Sequence, residues 1–282
     1  MKKNHLIMYV FIAMCVYTFS IGIAYASNYV NYRGISMTSD EYNNLINLGF
    51  TEDEIYYMGE EMFNQNKNIE STLEAVNEKY YKTIYTDLNG GAYSTELTEE
   101  EYNNQSSMNT RGTVETTYKK MVTNMSRNSD GTFRYKISLN WKRFPAVRSY
   151  DIIGIGFADN VYINSGVYFG YYYCDEDDNC PESTLYYDKK DISTGGSVAY
   201  KLPSGDIRAL GSVLYYDVDK INPSETITEL NMCGDYSHAT ANVSQSNVSN
   251  YTIHHAGIHL YSSIAGYYDA IPCASVTWGG TW

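Results

Sequence analysis

The chain has 282 residues, with 33 Asp and Glu against 20 Lys and Arg, a formal net charge of −13, and 31 tyrosines. That acidity argues against a nucleic-acid partner, because neutralising phosphates takes clustered Lys and Arg. The length allows one large β domain or two modest ones.

Residues 1–26 read as a cleavable signal peptide. Lys2 and Lys3 come first, an apolar stretch runs from Leu6 to Ile23, and Ala24-Tyr25-Ala26 precedes Ser27. This is the order of positive end, hydrophobic helix and small-residue cleavage site that export requires. The apolar stretch approaches the roughly 20 residues a bilayer demands. No Lys or Arg cluster follows to stop transfer, so cleavage is expected, with no stable membrane span afterwards. The leader carries Lys2 and Lys3 and no acid, so its loss takes the net charge to −15.

Four cysteines remain: Cys174, Cys180, Cys233 and Cys273. An even number in an exported chain predicts disulfides, with Cys174 and Cys180 close enough to pair and Cys233 left for Cys273. Each bridge is expected to stabilise the fold by roughly 2–4 kcal/mol. Neither pair has the spacing of a zinc knuckle.

Residues 27–110 read as an acidic helical segment followed by a hairpin and a linker. Thr38 with Glu41 and Thr51 with Glu54 have the spacing of capping boxes, which satisfy orphan amides at a helix start. Tyr42, Leu45 and Ile46 make one apolar stripe. Ile55, Met58 and Met62 make a second, with Phe63 beside it, and Leu48-Gly49-Phe50 fits the turn between them, Gly49 serving as a C-terminal cap. Ile69, Leu73 and Val76 predict a third helix. Two short helices joined by this Leu-Gly-Phe turn resemble part of the three-helix ubiquitin-associated fold, over this segment alone, and no function follows from the resemblance. From Tyr80 the period shortens to two, and Asn89-Gly90-Gly91 predicts a hairpin turn. Thr98 with Glu101 caps a short helix, and the polar stretch 103–111 is the expected boundary.

Residues 111–282 read as an antiparallel β-sandwich, so the chain as a whole is expected to be mainly β. Phe133, Tyr135, Ile137, Leu139 and Trp141 alternate with Arg134, Lys136, Ser138, Asn140 and Lys142, predicting a half-buried strand with one wet face. Asn128-Ser129-Asp130-Gly131 turns the chain back onto a strand around 115–125. Further strands are expected at 150–157, 166–173, 183–188, 197–202, 211–218, 226–232, 251–260 and 275–282. Trp278 and Trp282 could also end an outer-membrane barrel, against which the helical front and the unequal strands weigh. The region is expected to fold without the front and to carry any binding surface in its outward-facing tyrosines.

Few residues suggest chemistry. Asp175, Asp177 and Asn179, between two cysteines, match the first three ligand positions of an EF-hand loop and are candidate calcium ligands. The match ends there, since Cys180 stands at the glycine position and Tyr186 at that of the bidentate glutamate. A solvated loop stapled by its disulfide is the simpler reading, with no cofactor required. His254, His255 and His259 concentrate in six positions; on one strand His255 and His259 would share a face and could hold a metal only with a third ligand. Asp235, Ser237 and His238 are the available pieces of a hydrolase, but neighbours on an extended segment point apart and no G-x-S-x-G elbow is present.

Tyrosine runs are the strongest compositional feature. Exposed tyrosines suit sugar stacking or protein contact, since each offers a flat apolar face with a polar tip, although β-propensity alone also favours them in strands. Tyr171, Tyr172, Tyr186 and Tyr187 border the acidic loop and are the candidate binding residues. The leading expectation is a secreted, non-catalytic binding protein with a glycan or surface protein as partner. The alternatives are a secreted toxin or pore-forming factor, with strands around 115–125 and 132–143 as an inserting hairpin, and an extracellular or envelope hydrolase.

Overall fold

A computed structural model describes residues 28–85, 91–105, 116–158, 160–175, 177, 179–187 and 194–282, with the backbone alone at 182–187. The leader, the turn residues Asn89 and Gly90, and residues 106–115 lie outside this set.

The described chain opens with β1 (Tyr29–Val30) paired to β2 (Ser36–Met37), followed by α1 (Ser39–Asn47), α2 (Glu52–Tyr57) and α3 (Glu60–Asn66). Both expected capping boxes form, Thr38 with Glu41 and Thr51 with Glu54. Gly49 ends α1 at φ +83°, with Gly49 N–H bonded to Ile46 O at 2.8 Å and Phe50 N–H to Leu45 O at 3.0 Å. This is the Schellman pattern, which needs a residue at ease with positive φ. Gly59 splits the second apolar stripe, leaving Ile55 to α2 and Met62 with Phe63 to α3.

The helix expected over Ile69, Leu73 and Val76 does not form. Those residues begin or lead into the long strand β3 (Ser71–Tyr85). Leu73 and Val76 are 38% and 54% exposed, so their helical spacing marked no buried face. β3 pairs antiparallel with β5 (Thr116–Asn128) along almost its whole length, and this long-range pairing overrides the local period. β3 also pairs with β4 (Ala92–Leu97) as the hairpin reading expected, and α4 (Glu99–Asn103) follows with its Thr98–Glu101 box.

The remaining elements are β6 (Phe133–Arg143), β7 (Tyr150–Phe157), β8 (Val161–Ile163), β9 (Val167–Asp175), β10 (Glu182–Tyr187), β11 (Gly195–Lys201), β12 (Ile207–Lys220), β13 (Glu229–Ala239), β14 (Tyr251–His254), β15 (Gly257–Leu260), α5 (Ser262–Ala265), β16 (Tyr268–Ala270) and β17 (Ala274–Gly279). One sheet runs β10-β9-β12-β6-β5-β3-β4, with β8 also on β12. The second runs β11-β7-β13-β16, with β17 also on β13. The fold is mainly β and sandwich-like, its sheets antiparallel. β13 starts later than expected and runs on to Ala239, while 251–260 is a hairpin rather than one strand.

The core lies between the sheets. Phe133, Tyr135, Ile137, Leu139 and Trp141 of β6 point inward with Ile153, Ile155 and Phe157 of β7 and Tyr236 of β13. Each such buried side chain contributes about 1.5–3 kcal/mol. The other face of β6 is where the expectation of a wet surface fails: Arg134, Lys136 and Ser138 are buried too. The helical front covers them, packing Leu45, Leu48, Phe50, Ile55 and Met58 onto Val213 and Tyr215 of β12. Lys136 Nζ donates to Glu54 Oε2 at 2.8 Å and Gly49 O at 3.0 Å. Arg134 pairs with Asp217 at 2.8 and 3.1 Å. Buried charges persist where partners of opposite sign meet them, and alternation along one strand cannot reveal such partners.

The outer face of the second sheet is covered as well, by the β14–β15 hairpin and α5 through Ile152, Val243, Val248, Tyr251 and Ile264. The hairpin lies so close that a Cβ on Gly156 would sit 1.8 Å from His254 O. Strands from both sides of residue 110 share the first sheet, β3 and β4 with β5, so the change in composition there is not a gap between two cores. Both expected disulfides form, Cys174–Cys180 and Cys233–Cys273. Among the described residues no helix is long and apolar enough to cross a membrane.

Candidate functional site

The seam between the helical front and the disulfide loop gathers aromatic side chains. Tyr57, at the end of α2, stacks on Tyr172 of β9 with ring centroids 4.8 Å apart and planes 16° apart. Tyr56 meets Tyr57 edge-on at 4.9 Å, and Tyr32 lies 5.5 Å from Tyr56 and 5.7 Å from Tyr57. The Arg208 guanidinium sits 5.2 Å above the Tyr32 ring and donates to its hydroxyl at 2.7 Å. Arg33 joins three pieces: it lies in the β1–β2 loop, donates Nε to Tyr57 O at 2.8 Å, and donates Nη2 to Pro181 O at 3.1 Å.

Beneath the Tyr57–Tyr172 stack is a small cavity of about 30 Å³ lined by Arg33, Glu54, Tyr57, Met58, Tyr171 and Tyr172, among others. Glu54 uses Oε2 on Lys136, and its Oε1 is buried with no hydrogen-bond partner among the described residues. Tyr172 donates its hydroxyl to Asn140 Oδ1 at 2.7 Å, which fixes the ring, and burial pushes its pKa well above the ordinary value. Strand alternation explains the use of the Tyr171-Tyr172-Tyr173 run. Tyr171 and Tyr173 pack against the core, stacked at 6.2 Å, while Tyr172 turns to the front.

Of the four tyrosines expected to bind, Tyr171 and Tyr172 line the cavity. Tyr186 and Tyr187 lie on β10 opposite Tyr168 and Val167. Tyr32, Arg33 and Arg208 had no signal in the sequence. Tyr56-Tyr57 was visible as a run, but its apposition to Tyr172 depends on how the front docks.

The candidate calcium ligands form a self-contained loop. Asp175 Oδ1 accepts from the backbone N–H of Asp177 at 3.0 Å and of Asn179 at 2.8 Å, and Oδ2 accepts from Asn179 Nδ2 at 3.0 Å. These bonds, those from Asn179 first, hold the Asp175 carboxyl below its usual range. Asp177 and Asn179 thus give amide donors to this loop. Glu176 and Asp178 lie outside the described residues. Among the described residues no group of three His, Cys, Asp or Glu could hold a metal ion. The chain turns after His254, so His259 neighbours His254 with ring centroids 6.0 Å apart, rather than sharing a strand face with His255.

The pieces of a hydrolase separate as their alternation predicts, yet His238 finds an acid elsewhere. Its Nδ1 lies 2.9 Å from both oxygens of Asp151 on β7, and Asp269 of β16 stands on its other side, accepting the His238 backbone N–H at 2.9 Å. From the facing sheet Lys119 reaches Asp269 at 2.7 Å and Thr83 does so at 2.9 Å. Tyr236 also donates to Asp151, and burial and that carboxylate push its pKa well up. An imidazole oriented by a carboxylate is the arrangement of a general base. Here both groups are 0% exposed and, among the described residues, His238 Nε2 has no hydrogen-bond partner. The cluster bonds one sheet to the other.

The chain matches no protein-family model and no curated protein.

Proposed function

We propose that this is an exported, non-catalytic binding protein that holds a glycan against the surface tyrosine array. The observation that carries the reading is the array of Tyr32, Tyr56 and Tyr57 at the surface of the seam, with the Arg33 and Arg208 guanidinium groups beside it. Tyr56 is 41% exposed. A flat apolar face beside charged hydrogen-bonding groups is the chemistry that suits a sugar ring, which carries C–H on its faces and hydroxyls at its rim. Export is supported by the leader at 1–26 and by the two disulfides, which persist in oxidising surroundings.

The test is a screen of the mature protein against soluble polysaccharides and defined oligosaccharides, with Tyr56→Ala and Tyr32→Ala beside it. Binding is expected to weaken by about 1 kcal/mol or more per ring removed, while unfolding midpoints stay close to the parent because the rings lie at the surface. A glycan bound equally by parent and both variants would refute the site.

A further inference from the structure

The first sheet has an open edge. β4 pairs with β3 only over residues 80–85, and among the described residues no strand pairs with 71–79 on the side away from β5. Beside this edge a groove of about 480 Å³ runs between β3, β5 and the α1–α2 turn, lined by Phe50, Leu73, Val76, Val122, Glu78 and Asn124, among others. Edges of this kind are commonly guarded by charged side chains that deter a further strand. The acids here are held back: Glu74 accepts from Trp278 Nε1 at 3.2 Å, and Glu78 accepts from Tyr80 at 2.7 Å and pairs with Lys120 at 2.9 Å. Leu73 and Val76 are left exposed beside unpaired backbone.

The lining says what would cover it. Glu52 and Asp53 line the groove, and its only cation among those lining residues, Lys120, is already paired with Glu78. At the groove Asn124, 1% exposed, donates Nδ2 to Gly49 O and keeps an amide oxygen with no donor. That oxygen is buried against Gly49, and it is the charge of the lining that calls for a cation. A second copy of the chain, itself at −13, brings the wrong sign.

We propose that residues 71–79 of β3 accept an extended cationic peptide as an added strand. Its backbone pairs with the open edge, its apolar side chains cover Leu73 and Val76, and its Lys or Arg side chains meet Glu52 and Asp53. Main-chain bonds supply affinity in such strand addition, and the alternate side chains supply selectivity.

The experiment titrates the mature protein with an alternating Lys-Val peptide of about ten residues, with a Glu-Val counterpart, and with a Lys-Val peptide carrying a central Pro. Amide hydrogen exchange is read at residues 71–79. The Lys-Val peptide is expected to slow exchange there, and binding is expected to weaken at high salt. The other two peptides are expected to bind at least about tenfold more weakly, as is the variant Val76→Lys, whose substitution falls on an exposed side chain. Unchanged exchange at 71–79 in saturating Lys-Val peptide would overturn the proposal. So would equal binding of the Pro-interrupted or Glu-Val peptide, or edge protection that arises from self-association in the absence of peptide.

Discussion

The same short motif does different things at two positions of the front. Glu41 and Glu54 each close a capping box, but Glu41 sits at the surface while Glu54 is buried and neutralises Lys136. Burial holds the Lys136 ammonium below its ordinary pKa, and Glu54 opposes that shift. Glu54→Ala strands a buried ammonium and is expected to cost about 3–5 kcal/mol, whereas Glu41→Ala is expected to cost about 1 kcal/mol or less. Urea unfolding of both variants checks this; equal costs would contradict the buried pair. Asp235 provides a pH signature. Burial, opposed by the amides of Ile258 and Tyr236, raises its pKa to about 7 from an ordinary 3.8. A carboxyl raised on folding stabilises most below its unfolded pKa, and that contribution is lost as pH climbs to about 7. Its size is on the order of a few kcal/mol. Asp235→Asn is therefore expected to flatten the fall in stability between about pH 4 and 7, and an unchanged slope in denaturant titrations would count against it. The capping boxes were legible because both partners lie within four residues of sequence. Asp151, Asp269 and Lys119 were not, because β7 and β16 flank His238 only through long-range pairing with β13, and β5 brings Lys119 to Asp269 only when the sheets close.

Among elements, most strands could be read from alternation, and β6 was read in register. The failures have one cause. A period reports which residues share a face, not what covers that face. Arg134 and Lys136 were expected in water because the front that covers them lies some seventy or more positions earlier in the chain, and Leu73 with Val76 looked helical because pairing with β5 was invisible locally. One backbone carbonyl ties the front to the first sheet at two points, beside the apolar cluster and the Glu54–Lys136 pair. Gly49 O accepts from both Lys136 and Asn124, and a Cβ at Gly49 would meet Asn124 Oδ1 at 2.2 Å on a backbone already at φ +83°. Gly49→Ala is expected to destabilise by more than about 1 kcal/mol, measured as a lowered denaturation midpoint. The fragment from Gly112 to Trp282 lacks β3, β4 and the front. It is expected to melt without a cooperative transition, because β5 loses its neighbour and Lys136 loses Glu54. A sharp melt of that fragment near the temperature of the full chain would show that the sandwich is self-sufficient.

At the scale of the molecule, four layers stack in order: helical front, first sheet, second sheet, and the hairpin with α5. β5 and β6 are interior strands of the first sheet, and β6 is covered on both faces. Export predicts a mature protein starting at Ser27 with all four remaining cysteines oxidised, which intact mass before and after reduction would establish; a retained Met1 would defeat it. The tyrosine array exists only where the front meets β9, so a ligand there must touch both at once. The decisive measurement is amide hydrogen exchange across the intact protein, with and without saturating glycan from the screen. The account predicts simultaneous slowing at residues 32–33, 56–59 and 170–172. Slowing elsewhere with these three segments unaffected, or no glycan bound at all, would contradict it.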